Sequence, residues 1–332
     1  MDARESTEKM VDAAEGRRPP GGNRLLALLR LARARFLITC LALYVMGALW
    51  AVLLGARFSG ARMLFGYLIV LAAQLSVSYS NDYFDVDVDK RTTPTLVSGG
   101  SGILVSRPEL RALARWIAVS LILISVGLGI AFALVYAYPS WFVVGVAFSA
   151  LLGWFYSAPP PKLAYRGLGE ISTAIAGGFL VPATGYLAAA GYPTRDGLLL
   201  TVPAVMYGLA FIIAVEIPDE TADRLGHKAT WVVRRGQRFG FVGICALLLL
   251  ATGFYFLCAR AWQASLPIDF RVLGLLSMLP VAFGAHAVVR RPRDWQTATR
   301  LVTRTIWAMT ALATSSPISD PMKMIRSFKS RE

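Results

Sequence analysis

From Met63 to Ser80 no position carries a charge, and apolar runs of this kind recur along the whole chain. Each approaches the ~20 residues that a helix needs to cross the ~30 Å hydrocarbon layer of a bilayer. The pattern predicts nine spans, near 36–56, 63–80, 112–137, 139–157, 170–190, 197–215, 239–259, 271–290 and 300–316. The ninth is the least regular, because Arg300 and Arg304 fall inside it. The expected fold class is therefore all-α, a polytopic membrane protein. Residues 1–22 are polar, end in a Pro/Gly stretch and read as a disordered cytoplasmic tail. Residues 23–316 form the membrane domain, and 317–332 a polar C-terminal tail.

Composition agrees with this pattern. The 332 residues are 56% hydrophobic and only 16% charged, with a mean hydropathy of +0.55. The net charge of +14 does not point to nucleic acid, because the basic residues punctuate apolar segments instead of forming one stripe. Placing the Arg-rich stretch before the first span on the cytoplasmic side puts 21 Lys and Arg residues on that side and five on the other, as the positive-inside rule requires. The basic residues after Pro317 fall on the wrong side if all nine segments cross. The three cysteines lie apart, inside apolar segments, and imply neither a disulfide framework nor a zinc site.

The acidic residues are distributed differently. Of twenty Asp and Glu, eight fall in two windows, 82–89 and 216–223, at the ends of the second and sixth spans. Asp85 and Asp89 are four residues apart and share a helix face, with Asn81 one turn earlier and Asp82 on its edge. Asp219 and Asp223 repeat the spacing. A shift of 134 positions superimposes the windows, with Asp82 on Glu216 and Lys90 on Arg224. Two similar four-helix halves would present both windows to one side of the membrane, and repeat symmetry with a site at the interface is a common design. Asp87 and Glu220 face away from these pairs.

Like charges at this spacing destabilise a helix, and ionisable groups at membrane depth are costly. Two such clusters therefore point to bound cations. Carboxylate and amide oxygens without His or Cys favour Mg²⁺, which binds through few carboxylates together with substrate phosphates. Lys162, Arg224 and Lys228 on the same side are candidate donors to the remaining phosphate oxygens. An apolar interior behind them suits a ligand with a diphosphate head and a hydrocarbon tail.

"NDYFDVDVD" resembles the N-D-x-x-D-x-x-x-D signature of the UbiA superfamily of intramembrane prenyltransferases, with Asn81, Asp82, Asp85 and Asp89 in register. "EIPDETADRLGHKAT" is similar to that family's second motif through Asp219 and Asp223. Lys228 falls near its lysine with one His inserted, and Glu216 stands where many members have Asp. "YSAPPPKLAYRGLGE" is similar to its intervening loop, bringing Tyr156 and Lys162 near substrate. The resemblance covers nearly all of the chain after residue 22.

The resemblance implies Mg²⁺-dependent transfer of a prenyl group from an isoprenoid diphosphate to an aromatic acceptor, in quinone or specialised-metabolite synthesis. Asp85, Asp89, Asp219 and Asp223 would hold the metal, Lys162 would act in catalysis, and Asn81, Asp82, Tyr156, Arg224 and Lys228 would line the diphosphate site. Two other readings stay open: a membrane terpene cyclase of the same superfamily, which uses no acceptor, and an ion-coupled transporter. Arg35 suits either substrate or lipid headgroups, and the "SGGSG" stretch at 98–102 either a phosphate-closing loop or a linker.

Overall fold

In a computed structural model, the described residues are 23–91, 100–262, 268–292 and 294–314. The two tails expected from the sequence, and Ser98 and Gly99 of the glycine-rich stretch, lie outside them. Every long element is a helix, as a lipid surround demands of any backbone whose polar groups must be satisfied within the segment.

A short helix, α1 (Arg24–Leu31), leads into α2 (Ala34–Leu53) and α3 (Gly60–Phe84), followed by one further turn, α4 (Val86–Asp89). The turn α5 (Ile103–Ser106) precedes α6 (Arg111–Val135) and α7 (Ser140–Ser157). The second half begins with α8 (Gly169–Thr173), which passes through a π-helical segment, Ala174–Leu180, into α9 (Val181–Ala190). It continues with α10 (Arg195–Leu225), α11 (Trp231–Arg235), α12 (Gln237–Ala261) and α13 (Phe270–Arg290), and α14 (Trp295–Thr314) completes the bundle.

Among the described residues, eight segments are long and apolar enough to span a membrane. They coincide with the first eight spans expected from the sequence. The ninth, α14, is too polar along its outer side to qualify by composition. It nevertheless packs as a full member of the bundle, against α10, α13 and α2, and buries Leu301, Val302, Ile306 and Met309.

The repeat is visible in element order: α3 and α10 are each the second span of a four-span half, and each carries an acidic window at its end. The halves meet along α2 and α9, where the backbones nearly touch. A Cβ on Gly47 would lie 1.8 Å from the Pro182 carbonyl oxygen, and one on Gly185 would lie 2.0 Å from that of Tyr44. This is the close approach that small residues permit between membrane helices.

The two acidic ends differ in form. In the first half the helix is interrupted at Asp85 (φ −96°, ψ 9°) and resumes as α4. In the second, α10 runs unbroken past Pro218 to Leu225, ten residues beyond the expected end of its span. Asp219 and Asp223 are therefore on the helix itself.

Candidate functional site

A cavity of about 370 Å³ opens between the two halves. One end is acidic, and Asp85, Asp89, Asp219 and Asp223 all line it, with Asn81, Tyr156, Arg33 and Lys228. The far end is apolar, bounded by Trp50, Leu53, Leu200, Tyr255 and Ile268. Asp223 and Leu200 both line it from α10, and 23 residues at ~1.5 Å rise put them roughly 35 Å apart. The cavity thus follows most of the thickness of a bilayer.

Lys228 joins the two acidic ends. Its Nζ donates to Asp85 Oδ2 at 3.1 Å and stands 3.5 Å from Asp223 Oδ1. Desolvation opposes its charge, but the carboxylates of Asp85 and Asp223 prevail and hold the ammonium well above its ordinary pKa. Asp85 also accepts from Ser157 Oγ and from the Tyr165 hydroxyl, both at 2.9 Å. These donors fix its two oxygens toward the cavity. Arg91, just past α4, donates to the Leu225 carbonyl at the end of α10 and ties the two helix ends together.

Asp89 is reached from outside by the loop backbone: a Cβ on Gly100 would lie 1.8 Å from Asp89 Oδ2. Removal from water, then the charge of Asp82, push the Asp89 carboxyl up to about 7. A second positive charge at this spot is therefore favourable.

Three residues nominated by sequence do not line the cavity. Asp82 is 1% exposed and is taken up by Arg33 and Ser101, which pins the start of α2 and the glycine-rich stretch to α3. Arg224 pairs with Glu220 at 2.8 Å and donates to the Val233 carbonyl at 3.0 Å, on the outer surface. Lys162 lies over the Tyr165 ring, 4.7 Å from its centroid, one aromatic ring removed from Asp85. Asp87 is 78% exposed and pairs with Lys90, facing away as expected. Arg33 lines the cavity, whereas Arg35 stacks on Phe36 at 5.1 Å.

Sequence reasoning passed over Ser157, Tyr165 and Glu170. All three fall in the stretch from Tyr156 to Glu170 that already contributed Tyr156 and Lys162, close enough in sequence to have been nominated. Glu170 is fully buried, and one of its oxygens accepts from the Trp231 backbone N–H.

The acidic end fits divalent metal with a phosphorylated ligand. Among the described residues no group of three His, Cys, Asp or Glu could by itself hold a metal ion. Mg²⁺ takes one or two carboxylates and completes its shell with water and phosphate oxygens. The unpartnered Asn81 Oδ1 adds a further oxygen donor beside the aspartates.

Comparison with known proteins follows the same lines. The model of the UbiA prenyltransferase family matches residues 36–309. A UbiA homolog from Archaeoglobus fulgidus bound to GPP and Mg²⁺ superimposes with a TM-score of 0.62 at 18% identity, over 87% of this chain and 100% of that one. The same homolog bound to DMAPP and Mg²⁺ gives 0.62 at 16% identity, over 86% and 99%. A digeranylgeranylglyceryl phosphate synthase gives 0.61 at 16% identity, over 87% and 98%. Among curated proteins none matches. At these identities the structural likeness establishes the fold.

Proposed function

The chain belongs to the UbiA prenyltransferase family, and from that premise we propose that it moves a prenyl group from an isoprenoid diphosphate, held through Mg²⁺, to an aromatic acceptor inside the membrane. One observation carries the reading: carboxylates from both halves converge on the head of a single long apolar cavity. A charged head and an oily tail can then be held at once, the head by Asp85, Asp89, Asp219 and Asp223 with metal, the tail along α2 and α10.

Bound Mg²⁺ supplies Lewis-acid neutralisation of charge on the leaving diphosphate. The protein's own groups do the rest. Ser157 and Tyr165 hold Asp85 in place. Lys228, already at this site, donates to diphosphate oxygens once the carboxylates are otherwise engaged. Below the acidic end, Phe36, Tyr156, Tyr207 and Phe211 line the wall. Their ring faces attract positive charge on the ionised allyl group, and the apolar surround keeps water from it. Gln74, Ser78 and Asn81 form a polar stripe on α3 within this cavity, spaced to share one helix face, which suits a hydroxylated ring more than a second hydrocarbon.

The distribution of basic residues supports placing the acidic end on the cytoplasmic side. A transporter reading is disfavoured because the carboxylates cluster at one end of the bundle and not at its midplane. The test is to incubate the purified protein with geranylgeranyl diphosphate, Mg²⁺ and 4-hydroxybenzoate. Release of diphosphate with a prenylated ring as product supports the reading. A cyclised hydrocarbon formed without acceptor would replace it with the cyclase, and absence of any Mg²⁺-dependent diphosphate release would reject both.

A further inference from the structure

Glu216 is a buried carboxyl with no evident structural duty. It is 4% exposed, it lines the cavity, and among the described residues neither of its oxygens meets a hydrogen-bond donor. An ion pair does not compensate it. Lys228 is the cation in its surroundings, and that ammonium is engaged by Asp85 and Asp223. The Glu170 carboxyl lies against it, a contact that becomes a hydrogen bond only when one of the two carries a proton. Glu170 is itself anchored from behind through its bond from the Trp231 N–H, and its second oxygen meets no donor among the described residues. A buried acceptor left unsatisfied costs stability, so two adjacent ones need a reason.

Their position supplies it. Glu216 lies on α10 one turn before Asp219, on the same helix face as Asp219 and Asp223. It therefore sits between the diphosphate end and the aromatic wall, beside Tyr156, where the ionised carbon of a bound prenyl chain would lie. We propose that Glu216 is the proton acceptor of the bond-forming step, with Glu170 as the positioning residue that carries the pair's resting proton.

This rests on the prenyl-transfer reading. The C1–O bond of the prenyl diphosphate breaks, and its electron pair leaves with the diphosphate. A π-electron pair of the acceptor ring forms the new bond to C1. Two adjacent buried carboxyls cannot both ionise, so the pair holds one proton at rest, carried by Glu170 when Glu216 acts. The proton displaced from the attacked ring carbon passes to the ionised Glu216 oxygen, the ring recovers its aromatic electrons, and both carboxyls end neutral. No oxidant or further reactant is needed. A carboxylate in a water-poor site, held within reach of the reacting carbon, has the properties of a general base.

The test uses the full-length protein in membranes of the expressing cells, which supply their own acceptors, with radiolabelled geranylgeranyl diphosphate, Mg²⁺ and added 4-hydroxybenzoate. Diphosphate release and the fate of the label are measured together. In Glu216→Gln, diphosphate is still released in a Mg²⁺-dependent way. The share of label in prenylated product falls at least about tenfold relative to the share in free prenyl alcohol. Glu216→Asp, which restores a carboxyl, stays within about threefold of the unmodified protein in this ratio. An unchanged ratio in Glu216→Gln overturns the proposal. So does an unmodified protein that releases diphosphate and yields only the alcohol. Loss of Mg²⁺-induced thermal stabilisation in Glu216→Gln would make the residue a metal ligand and overturn it as well. Absence of Mg²⁺-dependent diphosphate release from the unmodified protein is a separate result, which removes the prenyl-transfer reading itself and this step with it.

Discussion

The ammonium of Lys228 stands 3.1 Å from a carboxylate oxygen of Asp85 and 3.5 Å from one of Asp223. One cation thus spans the junction between the two halves of the bundle. Asp85 ends α3, Asp223 lies in the last turns of α10, and without a positive charge between them these ends would repel. Lys228 supplies in this structure the positive charge that a divalent metal held by the same carboxylates would supply.

The consequence for Lys228→Met is specific. Removing one partner of a buried ion pair leaves uncompensated charge and costs roughly 3–5 kcal/mol. The variant should therefore melt well below the unmodified protein. Mg²⁺ alone should recover more of that loss than it adds to the unmodified protein, because ligand binding to the folded state stabilises it and the lysine that competes with metal for the carboxylates is gone. Thermal melting in detergent, with and without Mg²⁺, checks it. Equal stabilisation of both proteins would remove Lys228 from the cation site.

Asp85→Asn and Asp219→Asn keep shape and remove charge, one from each half. Each should lower Mg²⁺-dependent diphosphate release by at least about 100-fold while the protein stays in the membrane. EDTA should stop the unmodified protein, and excess Mg²⁺ should restore it. Full activity in either variant would show that its carboxylate does not serve the metal.

Gly100 gives a test of the loop that covers Asp89. One of its Cα hydrogens faces the Asp89 carboxylate, and a methyl in its place would fall 1.8 Å from Oδ2. Gly100→Ala must displace either the loop or the aspartate. The expected result is a Mg²⁺ requirement raised by roughly 10–100-fold, with diphosphate release at saturating metal much less affected. A titration of rate against Mg²⁺ measures this, and an unshifted titration would show that the loop yields freely.

Much of this arrangement was legible in the sequence, because carboxylates at the ends of uncharged runs are costly and so informative. The positions of Asp85, Asp89, Asp219 and Asp223 at one cavity follow from spacing and from the repeat, and that of Lys228 from the resemblance of its loop to the family's. What the sequence withheld depends on contacts between distant segments. Asp82 belongs to the same motif as Asp85, yet it turns away because Arg33, 49 residues earlier, captures it. Arg224 matches Lys90 in the repeat, yet Glu220 one turn before it on α10 draws it to the surface. Glu170 and Glu216 come together only because α8 packs on α10, and no periodicity in either segment announces that contact.

The length of the cavity yields the last expectation. Leu49 lines it from α2, 16 residues beyond Arg33, or about 24 Å along the helix. Short chains bound by their diphosphate at the acidic end would not reach this depth, and long ones must pass it. In Leu49→Trp the added ring obstructs the lower cavity without touching the acidic end. Dimethylallyl and geranyl diphosphates should therefore be used at close to the original rate, and geranylgeranyl diphosphate should lose about tenfold or more in kcat/KM, as expected when overpacking costs 1–3 kcal/mol. The three rates should be measured side by side on the same preparation. A uniform loss across chain lengths would mean that the tail leaves the cavity sideways above Leu49, and that the apolar end beyond it serves packing alone.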